Sequence, residues 1–265
     1  MIPRTPREEV PLKIATWNVN SIRQRLGHVR DWLEAEWPDV LALQEIKCQT
    51  ADFPAAEFEA LGYHCAVDGQ KAYNGVALLS RQPPAGVAGG LADFDDEQKR
   101  VLAASYDGVR VFDLYVPNGQ SVGSDKYDYK LRWLGALRAT LQAALAQHER
   151  IAVVGDFNIA PEDRDVHDPE AWRGQVLCSD AERERLQALL ALGFVDVFRR
   201  FEQPENSFSW WDYRAAAFRR NRGLRIDLVL ASPALAATCR ACGIDRAPRA
   251  REQPSDHAPV WAEFG

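Results

Sequence analysis

The stretch Ile151-Ala152-Val153-Val154-Gly155-Asp156-Phe157-Asn158 decides how the chain is read. Ile151 to Val154 reads as a strand buried on both faces, and it stops at a glycine followed by two polar side chains one residue apart. Asp156 and Asn158 then lie at the carboxyl end of a strand. Side chains two apart on an extended strand point the same way, so a carboxylate and a carboxamide there can act on one substrate atom. The stretch alone fits equally well a polar Asx turn that closes a core strand, and the rest of the chain has to decide.

A chain of 265 residues with 46% hydrophobic content is long enough to bury a sizeable core. The net charge is −6, from 32 Lys and Arg against 38 Asp and Glu, which excludes adhesion to nucleic acid by bulk charge and leaves only a local site for a polyanion. The cysteines, Cys48, Cys65, Cys178, Cys239 and Cys242, are odd in number and widely spaced, which suits a reducing cytoplasm. Cys239-x-x-Cys242 lacks a second pair or a histidine at zinc spacing, so it reads as a coincidence at a helix end. No apolar run reaches the roughly 18 residues of a membrane span, no signal peptide is visible, and a monomer is expected.

Strands and helices alternate without a repeat. Leu12–Trp17 is a predicted strand leading to Asn18-Val19-Asn20-Ser21, with Ser21 placed to cap a helix from Ile22 to about Glu36. Val40–Leu43 is a short strand that ends in Gln44-Glu45, with Lys47 two residues on. Tyr63–Val67 and Val76–Leu79 read as paired strands, and Val101–Tyr106 and Val109–Val116 flank the hairpin signal Asp107-Gly108 before Asn118. Lys126 to about His148 is a long helix with Leu131, Leu134, Leu137, Leu141 and Leu145 on one stripe. A polar loop without periodicity runs from Pro161 to Cys178, of a length that is more often functional than idle. A helix at Ala181–Leu192 follows, then an aromatic strand at Ser207–Arg214, an apolar strand at Ile226–Leu230 holding Asp227, and Asp256-His257 before the last strand. No shift in composition marks a boundary, so residues 1–265 read as one domain with a flexible N-terminus at 1–11.

Asn18, Asn20, Glu45, Tyr115, Asn118, Asp156, Asn158, Asp227, Asp256 and His257 thus all fall at or beside predicted strands. An unpaired buried carboxylate costs several kcal/mol, so acids in such places call for a cation. Mg²⁺ needs only one or two protein carboxylates together with phosphate oxygens, which suits dispersed single acids. His257 by itself reads more readily as a solvated or structural histidine than as a catalytic one. A partner for its imidazole has to come from another strand, with Asp227 the obvious candidate.

Thr16-Trp17-Asn18-Val19-Asn20, Leu43-Gln44-Glu45-Ile46-Lys47, Gly155-Asp156-Phe157-Asn158-Ile159, Gly223-Leu224-Arg225-Ile226-Asp227 and Ser255-Asp256-His257-Ala258-Pro259 resemble, in order and spacing, the exonuclease III family of abasic-site endonucleases. That family belongs to the endonuclease/exonuclease/phosphatase superfamily. The resemblance implies a four-layer α/β sandwich, two mixed β-sheets face to face with helices outside. It also implies a metal-dependent nuclease that cleaves 5′ to abasic sites in duplex DNA, degrades 3′→5′ and cleans 3′ ends.

By position, the resemblance makes Glu45 the principal ligand of Mg²⁺ or Mn²⁺, with Asp256 and Asn20 nearby. Asp156 becomes the base, Asn18 and Asn158 hold nucleophile and phosphate, and Tyr115 acts as a hydrogen bond or an ionised phenolate. His257, oriented by Asp227, stabilises the transition state. Asn20 departs from relatives with an acid there, which makes a second metal doubtful. Arg23, Tyr73, Asn74 and Asn118 fall against phosphates, and Trp210, Trp211 and Leu224 around a flipped, base-less sugar, with ordinary packing the alternative for the tryptophans. Arg219, Arg220, Arg222 and Arg225 would supply a local positive field. Two other readings are a superfamily phosphodiesterase acting on RNA or a phosphorylated small molecule, and a nucleic-acid-binding relative with weak catalysis.

Overall fold

Strand pairing sorts the apolar runs into two sheets. The computed structural model describes residues 11–265, so the flexible N-terminus expected at 1–11 lies, but for its last residue, outside the described residues. In chain order the elements are β1 (Leu12–Asn18), α1 (Ile22–Glu36), β2 (Val40–Gln44), α2 (Ala55–Glu59), β3 (His64–Asp68), β4 (Val76–Ser80), β5 (Ala85–Gly89), β6 (Val101–Tyr106), β7 (Val109–Tyr115) and α3 (Asp125–Leu145). There follow β8 (Ile151–Asp156), α4 (Pro169–Trp172), α5 (Asp180–Leu190), β9 (Val195–Asp196), β10 (Asp227–Ala231), α6 (Pro233–Ala237), β11 (Cys239–Ile244) and β12 (Val260–Phe264). One sheet has the order β11-β12-β1-β2-β4-β3 and the other β5-β6-β7-β8-β10-β9. Each is mixed: β1 runs parallel to β2 and β7 to β8, and the remaining pairs are antiparallel.

Alternation along the strands explains the layers. Ala152 and Val154 of β8 face the other sheet, packing with Ile14, Val40, Ala42 and Leu78. Ile151 and Val153 pack with Trp133, Leu137 and Leu141 of α3 and Leu186 and Leu189 of α5. Across the molecule, Trp17, Leu41 and Leu43 pack with Val29, Trp32 and Leu33 of α1 and Phe58 of α2. A strand covered on both faces reads as an unbroken apolar run, and each buried Val or Leu contributes about 1.5–3 kcal/mol. The expected four-layer sandwich is what the chain forms.

Several local expectations need correction. Ser21 does not cap α1 with its side chain; its backbone sits at φ 96° and its N–H donates to Glu45 O at 2.8 Å. Helix α3 begins at Asp125, capped by Ser124, and ends at Leu145. Ser207–Arg214 is not a strand, because Trp210 bridges Leu224 on one side and His257 on the other and so extends no ladder. Cys239 and Cys242 lie on β11, not at a helix end, and all five cysteines are free. β5 gave no periodic signal because every residue in it is exposed.

Gly155 is the position where β8 depends on its sequence most. It holds φ 141°, and a Cβ there would lie 2.0 Å from Leu114 O on the neighbouring strand. Gly155→Ala is therefore expected to lower unfolding free energy by about 2–3 kcal/mol or more. Urea unfolding measures this, and an unchanged midpoint would show that β7 and β8 part without cost.

Candidate active site

Five strand ends and the segment before β12 bring their polar side chains into mutual hydrogen-bond range. Asn18, at the end of β1, joins the two sheets: its Nδ2 donates to Glu45 Oε1 at 2.8 Å and to Asp156 Oδ2 at 3.0 Å. Asp156 and Asp227 stand directly opposite in the β8–β10 ladder, and Tyr115 is the partner of Asp156 on β7. Asn158 donates its N–H to Asp156 Oδ1 at 2.9 Å and its Nδ2 to Asp156 Oδ2 at 3.1 Å. Asn118 Nδ2 donates to Asn158 Oδ1 at 3.1 Å.

His257 lies between the two acids of the ladder. Its Nδ1 is 2.9 Å from Asp227 Oδ2, which also accepts from Ser209 Oγ at 2.6 Å. Its Nε2 is 3.8 Å from Asp156 Oδ2, too far for a direct hydrogen bond. Ligand-capable atoms of Asp156, Asp227 and His257 lie within 4.8 Å of one another, so this cluster also meets the spacing for a metal ion.

Burial and charge set the protonation states. Burial lifts Asp156 to about 7, with the positive charge of His257 acting against it and Asp227 adding to it. Burial disfavours the imidazolium of His257, but Asp227 and then Asp156 outweigh it and hold the group at about 10. Asp256 stays below the usual carboxylate range in spite of burial, through the charge of His257 and hydrogen bonds from Trp210 and Asn20. Burial, followed by the nearby Glu45 carboxylate, drives Tyr115 far above the ordinary phenol range. That environment favours the hydrogen-bonding role for Tyr115 over the ionised phenolate.

Two of the expected metal ligands, Glu45 and Asn20, meet around Lys47, and Asn20 links them to the third, Asp256. The Lys47 ammonium lies 2.9 Å from Glu45 Oε2 and 2.5 Å from Asn20 Oδ1. Asn20 Nδ2 donates to Asp256 Oδ1 at 3.0 Å, and Asp256 Oδ2 accepts from Trp210 Nε1 at 3.0 Å. A cation already sits between two oxygens of this set, and all the donors are hard oxygens, so the residues fit a Mg²⁺-like ion. Asn20, Glu45, Lys47 and Asn158 hold φ of 45°, 51°, 53° and 48°, a left-handed conformation costly for side chains of this size.

The substrate-facing set is more scattered. Arg23 is exposed and paired with Asp52 at 3.3 Å, and Tyr73 is 70% exposed. The amide of Asn74 is buried and donates to Gln70 and Gln98. Trp210 is half-buried against Leu224, Val166 and Leu177, and Trp172 meets it edge-on with ring centres 6.5 Å apart. Leu224 is wholly buried within that cluster.

Two expectations fail here. Trp211 is fully buried with Phe208, Ala217 and Ala258, because the residue after Trp210 faces the opposite way; it is a core residue and not a pocket wall. Arg225 is buried too, ion-paired with Asp165 and with Asp196 at 2.7 Å, so the surface field falls to Arg219, Arg220 and Arg222.

Loop 161–179 contains a 3-10 turn at Asp163–Asp165, helix α4, and Leu177 at φ 75°. A cleft of about 720 Å³ beside it, lined by Arg164, His167, Arg199 and Asn206, includes none of the catalytic candidates.

Sequence reading passed over Lys47 as a site residue, although its spacing from Glu45 was visible, and over Tyr213. The Tyr213 hydroxyl lies 3.2 Å from Asn20 Nδ2 and 3.3 Å from Asp256 Oδ1, a contact that no spacing along the chain reveals. Ser209 and Ser255 were missed for the same reason: Ser255 Oγ donates to Asn18 O at 2.6 Å and accepts from His257 N–H at 3.2 Å.

Residues 15–257 match the model of the endonuclease/exonuclease/phosphatase family. The chain is 38% identical to exodeoxyribonuclease III of Haemophilus influenzae, over 96% of this chain and 100% of that protein. A 3′-5′ exonuclease from Neisseria meningitidis superposes with a TM-score of 0.94 at 46% identity, covering 96% of this chain and 99% of the other. An AP endonuclease from Archaeoglobus fulgidus gives 0.92 at 41% identity, with the same 96% and 99% coverage. With those relatives, that fold and this constellation of acids, amides and histidine, the chain belongs to the endonuclease/exonuclease/phosphatase family, in its exodeoxyribonuclease III branch, and is a hydrolytic nuclease.

Proposed function

We propose that this nuclease repairs duplex DNA by hydrolysing phosphodiesters 5′ to abasic sites and at blocked or free 3′ ends. The observation that carries the reading is the meeting of Asp156, His257–Asp227 and the Asn18, Asn118 and Asn158 amides at one end of the two sheets. The relatives support the substrate class. Besides those named above, a 3′ phosphatase from Neisseria, solved with a product DNA hairpin, is 46% identical at a TM-score of 0.94.

Glu45, Asp256 and Asn20 would hold Mg²⁺ or Mn²⁺. When bound, such an ion offsets the negative charge that grows on the phosphate. Asp156 takes the proton of the attacking water; a carboxyl lifted to about 7 is well matched to neutral pH. Asn18 and Asn158 fix that carboxylate from two directions and leave it to act on a water, not to rotate. His257, kept cationic by Asp227, offers Nε2 to a phosphate oxygen, and the neutral phenol of Tyr115 donates to another. Contacts to phosphate and sugar, without base edges, make the cut independent of sequence. The five free cysteines suit a reducing cytoplasm. No helix among the described residues is long and apolar enough to cross a membrane.

Asp156→Asn keeps the shape and removes the base, so kcat is expected to fall by about 10²-fold or more while affinity for abasic duplex is kept. Weak binding with a normal rate would make Asp156 structural. Excess chelator should abolish cleavage, and Glu45→Gln should lose activity that high Mg²⁺ partly restores; full turnover in chelator refutes the metal role.

Trp210→Leu separates pocket from packing. Loss of its indole N–H contact to Asp256 and of the wall beside Leu224 should lower selectivity for abasic over intact duplex, since a base-less sugar is recognised by shape and ease of flipping. A lowered melting temperature with unchanged selectivity would make Trp210 a packing residue only.

A further inference from the structure

Helix α3 carries a lysine on its buried face. Lys130 and Glu182 of α5 are both fully unexposed and ion-paired. The ammonium has three N–H donors and each has an acceptor: Glu182, Asn158 O at 2.7 Å and Asn118 O at 3.2 Å. Asn118 and Asn158 are two of the three amides that the function above gathers beside Asp156. Glu182 in turn accepts from Leu177 N–H at 3.0 Å, Ser179 N–H at 3.1 Å and Ser179 Oγ at 2.6 Å, which anchors the end of loop 161–179. Gly119 lies against the lysine stem, where a Cβ would come within 3.2 Å of Lys130 Cδ.

Stability does not account for this pair. Burying two charges costs so much desolvation that a well-packed apolar pair of similar volume stabilises as well or better. An apolar pair, however, cannot bind two main-chain carbonyls and two N–H groups from three separate loops. We propose that Lys130, paired with Glu182, is a positioning residue that fixes Asn118 and Asn158 relative to one another and ties both to the end of the 161–179 loop. The proposal rests on the nuclease reading above, since it concerns two amides of that catalytic constellation. Misplacing such groups by about 1 Å can cost about 10²-fold in rate without touching the reacting atoms.

The test uses the full chain with Mg²⁺, on duplexes carrying one abasic site or one 3′-phosphate. The double variant Lys130→Met, Glu182→Gln leaves no charge buried. Its kcat is expected to fall about tenfold or more, with KM and Kd within about threefold of the parent, at a temperature well below its melting point. Amide hydrogen exchange should quicken at 118–119, 157–160 and 177–179. A parental kcat in the folded variant overturns the proposal, whatever happens to its melting temperature. If the parent chain itself cuts neither duplex, the nuclease reading has failed; exchange then decides the positioning role alone, and unchanged exchange in those three segments overturns it. Should the double variant not fold, Gly119→Ala, strained at φ 94° and with its Cβ 3.2 Å from the lysine stem, is expected to lower kcat and to quicken exchange at 157–160 and 177–179 as well as in its own loop, and full activity or unchanged exchange in those two segments overturns the proposal.

Discussion

Two carboxylates, Asp156 and Asp227, are buried opposite one another at the end of the β8–β10 ladder, and the rest of the site depends on how their charge is met. Leaving one buried carboxylate unpaired costs several kcal/mol, and leaving two side by side costs more. His257 answers this by remaining an imidazolium, 2.9 Å from Asp227. Its own burial would favour the neutral ring, and the charge of Asp227, then that of Asp156, with the hydrogen bond to Asp227 and the charge of Asp256, reverses that. The same balance leaves Asp156 lifted to about 7 and able to exchange a proton with a bound water. A histidine fixed by one acid and poised over another is thus a consequence of strand register as much as of side-chain chemistry.

The first sheet contributes the complementary half. Glu45 follows β2, Asn18 ends β1, and Asn18 spans the gap by donating to Glu45 and Asp156 at once. An amide in that place links two acids without adding charge, which is why the two sheets can present their acids to one substrate. Lys47 stands between Glu45 and Asn20, so the cation-binding side of the site keeps its oxygens together around a positive charge. The left-handed backbone at Asn20, Glu45, Lys47 and Asn158 falls where strands give way to these contacts, and is held by them.

Beneath the site the polar character continues into the core between the sheets. Gln44 Nε2 donates to Thr16 Oγ1 at 2.8 Å and to Asp113 Oδ1 at 2.6 Å, all three groups being fully buried. Burial drives Asp113 well above the carboxylate range, so this layer is held neutral. Gln44 precedes Glu45, and Asp113 lies two residues before Tyr115 on the same face of β7, so the layer passes directly into the catalytic one.

Most of the core strands, the long helices and the ring of polar residues at strand ends were legible in the sequence, whereas β5, β9 and β11 were not. The reason is that apolar runs such as Ile151–Val154 and the hairpin at Asp107-Gly108 are local signals. The recurring motifs also pointed to Asn18, Glu45, Asp156, Asp227 and His257 before any contact was known. Only the tertiary structure decided which side chains meet: Lys47 and Tyr213 joined the metal side, Trp211 and Arg225 went into the interior, and Lys130, outside the expected leucine stripe, turned out to lie on the buried face of α3 and bind Glu182 under two loops. Such outcomes turn on the distance between residues far apart in the chain and on the desolvation of charges. A sequence specifies the period and polarity of each element, while the packing of two sheets sets which charges lose water together and must therefore pair.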